Sequence, residues 1–71
     1  MEGISEVNVA LVHEARRLIT GANVHHMTGM IKMYEAAAME TDPASQATAR
    51  ILERALERSV KKLRGEQARA G

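Results

Sequence analysis

A chain of 71 residues leaves room for one domain, and the absence of cysteine excludes disulfides and thiolate metal sites. Hydrophobic residues make up 45% of it, yet Tyr34 is the single aromatic, so a core must be built from aliphatic side chains and methionine. The formal charge of +1 hides a split: residues 1–49 carry three Lys or Arg against six Asp or Glu, and residues 50–71 carry seven against three.

An acidic first part and a basic second part favour packing of one on the other, and head-to-tail assembly equally well. No apolar run is long enough to span a membrane, and the N-terminus lacks the basic start and apolar core of a signal peptide. A cytoplasmic location with no membrane partner is therefore expected.

In chain order, the first predicted helix starts at Ser5 as N-cap, with Glu6 in the first turn where a carboxylate suits the helix dipole. Val7, Leu11, Val12, Ala15, Leu18, Ile19 and Ala22 recur at spacings of three and four and form one apolar stripe. At Thr20-Gly21-Ala22-Asn23, Gly21 is expected to end this helix in a left-handed conformation and Asn23 to cap the next. On that reading Gly21→Ala destabilises. A second stripe, Val24, Met27, Met30, Ile31, Tyr34, Ala37 and Ala38, is rotated by roughly 120° from the first at ~100° per residue. Residues 5–40 thus read as a broken arm. One continuous helix with two faces is the alternative.

Asp42-Pro43 is the sharpest local signal, an N-cap carboxylate followed by a residue with no N–H to lose. From Pro43 to about Leu63 the spacing predicts a helix burying Ala49, Leu52, Ala55, Leu56, Ser59, Val60 and Leu63, with Ile51 to one side and Gly65 as the stop. The chain 1–71 is thus expected to be a single all-α domain with residues 1–4 and 66–71 frayed. Its architecture is a small antiparallel helical hairpin with a broken first arm, two to three helices in all, turning at Asp42-Pro43. A lone hairpin of this size is marginal, so completion by oligomerisation is expected.

No Ser-His-Asp arrangement, Gly-rich phosphate loop or His-Glu-x-x-His spacing is present, so catalysis, cofactor and metal are not expected. The basic face of the last helix (Arg50, Arg54, Arg58, Lys61, Lys62, Arg64) lacks aromatics and has Glu53 and Glu57 interspersed, so it reads as a solvated face and no nucleic-acid partner is expected. What remains is a non-catalytic interaction or assembly module that binds itself or another helical protein. The expected partner-binding residues are the Leu52, Leu56 and Leu63 seam and the Met27, Ile31 and Tyr34 stripe.

Two alternatives attach to His25-His26-Met27-Thr28-Gly29-Met30. His26, Met30 and Met33 share one helix flank, and imidazole with thioether suits a soft ion such as Cu(I). The segment resembles the His-His…Met stretches of a copper-associated, ferritin-like family of bacterial proteins, although the Met is one position out of step and no second His-rich helix follows. His25, Met27, Thr28 and Gly29 also resemble the histidine-phosphotransfer motif, with Thr28 standing where that family has Lys. That resemblance implies a signalling role for His25 in a four-helix bundle, which this chain could complete only as a dimer. Finally, Asp42-Pro43 followed by Ile51-Leu52, Ala55-Leu56 and Glu57 is similar to the small helical co-chaperones of type III secretion needles.

Overall fold

The computed structural model describes residues 6–70. Among these residues there are three helices and no strand: α1 (Val9–Arg17), α2 (Val24–Met39) and α3 (Pro43–Ala70). The arm before Asp42 is therefore two helices.

Asn8 starts α1. Its backbone is extended (φ −80°, ψ 91°), and its Oδ1 accepts from the Leu11 N–H at 3.1 Å, one of the donors that a helix start leaves unpaired. This corrects the expected start at Ser5, which lies outside the described residues; Glu6 precedes the helix instead of occupying its first turn. Arg16 and Arg17 fall in the last turn, where cations suit the dipole.

The break after α1 is made by a side chain and not by a glycine. The helix gives way at Leu18, three residues before Gly21. Gly21 has no left-handed φ, and a Cβ there would meet open space, which corrects its expected role. Asn23 holds the linker instead: its Oδ1 accepts from the Thr20 N–H at 2.8 Å and its Nδ2 donates to the Leu18 carbonyl at 3.2 Å. Engaged in this way, Asn23 precedes α2 without a capping bond to it.

At the start of α3 the Asp42 carboxylate accepts from the Ser45 N–H at 2.9 Å, and the Asp42 carbonyl from the Gln46 N–H at 3.0 Å. The bonds from Ser45 hold the Asp42 carboxyl below its ordinary pKa. Gly65 does not stop the helix. It sits inside α3, which continues through residues 66–69, and Gln67 and Ala68 line one cleft with Leu18. With 28 residues, α3 is about 42 Å long at 1.5 Å per residue and sets the 43 Å long axis of the molecule.

The three apolar stripes meet in one core. Val12, Ala15 and Leu18 come from α1 and its C-cap, Met27, Ile31, Tyr34 and Ala38 from α2, and Ala49, Leu56 and Val60 from α3. Contacts advance along α3 as they recede along α2: Gln46 meets Ala38, and Ser59 meets Met30. Along α1 they advance together, Asn8 with Glu53 and Glu14 with Arg64.

Gly21→Ala should leave stability unchanged or raise it by up to ~1 kcal/mol, because the unfolded chain loses freedom and the folded chain loses nothing. Asn23→Ala should cost about 1–2 kcal/mol, since it strips two backbone groups of their partners. Thermal denaturation of the two variants checks both, and a Gly21→Ala loss exceeding that of Asn23→Ala would contradict this account of the break.

For Asp42 the sign is that of a carboxyl with a lowered folded pKa. Its contribution is present above the ordinary carboxyl range and is lost as pH falls through the lower folded value. Melts taken from neutral pH down to about pH 2 should show Asp42→Ala less stable than the parent at neutral pH, with the gap closing in acid.

Candidate interaction surface

Where the structure puts the six expected partner-binding residues decides where a partner can sit. Met27 and Ile31 are 1% exposed, and Tyr34 and Leu56 are fully buried, all inside the chain's own core. Leu52 and Leu63 are half-buried against the same core. Met27, Ile31, Tyr34 and Leu56 are thus covered from within the chain: α1 folds back over the side of α2 and α3 that a two-helix hairpin would leave bare.

What keeps α1 there is a polar joint at Asn8. Its backbone N–H donates to the Tyr34 Oη at 2.7 Å, and its Nδ2 donates to Glu53 Oε2 at 3.1 Å. With the Leu11 bond, one residue ties the start of α1 to itself, to α2 and to α3. Burial raises the Tyr34 phenol above its ordinary pKa; the Asn8 bond opposes this, and the Glu53 and Glu57 carboxylates add to it. Tyr34 therefore stays neutral and keeps its acceptor.

A buried polar group closes the loop end of the α2–α3 pair. Gln46 is 2% exposed, and its Nε2 donates to the carbonyls of Ala38, at 3.4 Å, and of Glu40. These carbonyls belong to the end of α2, which has no further turn to accept for. Sequence reading did not single out Gln46 or Asn8. Both were polar residues at helix margins with no local pattern to mark them.

The outer side of α2 and α3, away from α1, is different in character. Ser59 Oγ donates to the Met30 sulfur at 3.9 Å, which sets the register of the pair on this flank. Met33 and Ala37 follow Met30 along α2 at spacings of three and four, while Ala55 and Ile51 precede Ser59 along α3 at spacings of four. Met33 is 57% exposed and Ile51 63%. His26, Ser59 and Lys62 line one cleft at the end of this flank. Elsewhere, Val9 and Met39 are also exposed, near helix ends.

Of the residues of the alternative readings, His26, Met30 and Met33 lie along this flank, and His25 is turned about 100° from His26. His25 and His26 are exposed, Met33 is exposed, and Met30 is half-buried with its sulfur accepting from Ser59. Imidazole and thioether groups thus share the flank, but one thioether is already engaged between helices. Such packing is a common use of methionine.

Comparison with protein-family models, with curated proteins and with solved structures returns no match for this chain. No helix among the described residues is long and apolar enough to cross a membrane.

Tyr34→Phe tests the joint, because it keeps the ring in the core and removes only the acceptor for the Asn8 N–H. It should cost about 1–2 kcal/mol by urea denaturation, the penalty for a half-buried donor left unpaired. An unchanged stability would mean that α1 is held by apolar contact alone.

Proposed function

We propose that the protein is a non-catalytic helical interaction module, an α2–α3 antiparallel hairpin buttressed by α1 that associates with itself or with a helix of a partner. The supporting observation is that the core is filled from within the chain, yet Met33 and Ile51 stand more than half exposed on the outer side of the hairpin. Large aliphatic side chains placed together on a small surface mark association sites more often than isolated ones do. The side opposite α1 is also where one more helix would complete a four-helix arrangement.

This reading moves the proposed contact from the Leu52–Leu56–Leu63 seam to the hairpin's outer flank. Leu56 is then a core residue whose replacement by Asp would unfold the chain and say nothing about assembly.

Sedimentation velocity at micromolar to millimolar concentrations, with binding measured against a panel of amphipathic helical peptides, checks the proposal. The expected result is a defined oligomer or saturable binding of at least one helix. A chain that stays monomeric and binds none of them would overturn it.

A further inference from the structure

We infer that the Met33–Ile51 flank is a docking groove for an acidic amphipathic helix of another protein and not a self-association face. The inference rests on the interaction reading above and specifies its surface and partner.

The floor of the groove is made of small side chains. Ala37 on α2 and Ala55 and Ser59 on α3 are half-buried in the register set by the Met30–Ser59 contact, with Met33 and Ile51 standing on either side. Small residues between two helices let a third approach to the usual 8–10 Å interaxial distance. α2 runs for 16 residues, so a partner helix of about four turns spans the groove.

Charge selects the occupant. On α3, Arg54 and Arg58 follow Ile51 three and seven residues on, Lys62 comes one turn later, and all three are exposed. The ion pairs among the described residues are Arg16–Glu35 and Arg64–Glu14, both of which tie α1 to the other helices and leave these three cations out. The exposed acids near this side lie at its two ends: Glu66 in the His26–Lys62 cleft, and Glu40 and Asp42 in the loop between α2 and α3. An apolar groove with a basic border along its α3 side complements an apolar stripe with Asp or Glu on the facing flank.

A second copy fits poorly. Two-fold pairing through this flank would bring the same basic border against itself. A lipid surface also lacks support, because the chain has no Trp or Phe to anchor it and the floor is recessed between helices.

The test is a displayed library of 18-residue helices with a constant leucine seam and randomised flanks, selected against the full chain. Enriched helices should carry Glu and Asp beside the seam, and raising salt should weaken them. Met33→Lys combined with Ile51→Lys should reduce binding by about tenfold or more. Arg58→Glu combined with Lys62→Glu should shift enrichment toward Lys and Arg flanks. All four positions are exposed, and an unchanged circular dichroism melt confirms that each variant folds. Enrichment of basic or neutral flanks, or binding indifferent to both variants, would overturn the inference while leaving the wider interaction reading in place. So would an oligomer that Ile51→Lys dissociates, or binding to phosphatidylserine vesicles with no helix selected. Selection of no helix, with a monomeric chain, would overturn both.

Discussion

The arrangement of this protein depends on one polar joint, the bonds from Asn8 to Tyr34 and Glu53. A helix of nine residues such as α1 has almost no stability of its own, because nucleation consumes most of what its few hydrogen bonds return. Packing through Val12, Ala15 and Leu18 supplies attraction but little direction. The joint supplies direction, since amide and phenol groups satisfy one another at one geometry only. With α1 seated, the side of the hairpin bearing Met27, Ile31, Tyr34 and Leu56 is interior, and Met33 and Ile51 are left exposed.

Polar side chains also do the work at the other discontinuities. Asn23 occupies the backbone groups released where α1 ends, and Gln46 reaches back from α3 to the last carbonyls of α2. In a core this small, an unpaired amide would cost as much as a well-packed aliphatic side chain contributes. Each break in helical structure therefore comes with a residue that satisfies it, and among the described residues no buried side-chain nitrogen or oxygen lacks a partner.

The charge split of the chain takes a particular form in three dimensions. The Arg64–Glu14 pair joins the basic last helix to the one carboxylate of α1 at 3.3 Å, but it is a surface pair, worth at most about 1 kcal/mol. Most of the basic residues of α3 face away from α1 and stay exposed. The acidic and basic parts thus do not neutralise each other on folding, and α3 keeps exposed cations beside Ile51.

Periodicity in the sequence was enough to name the helical class, the three apolar stripes, the start at Asp42-Pro43 and the outlying position of Ile51. These are local properties: a stripe follows from spacing, and a cap from one side chain beside its own backbone. Spacing shows that Met27, Ile31, Tyr34 and Leu56 must be covered but not whether the cover is the same chain or another. The choice of Asn8 over Ser5 likewise depended on groups 26 and 45 residues away, Tyr34 and Glu53. Gly65 continues its helix with Leu18 beside the following turn, and the break before α2 belongs to Asn23, with Gly21 only passing through it. At Asn8 and past Gly65, groups distant in sequence outweigh a local preference of about 1 kcal/mol, and only the tertiary structure brings those groups together, whereas the Asn23 bonds to Thr20 and Leu18 are local and leave no mark in the periodicity.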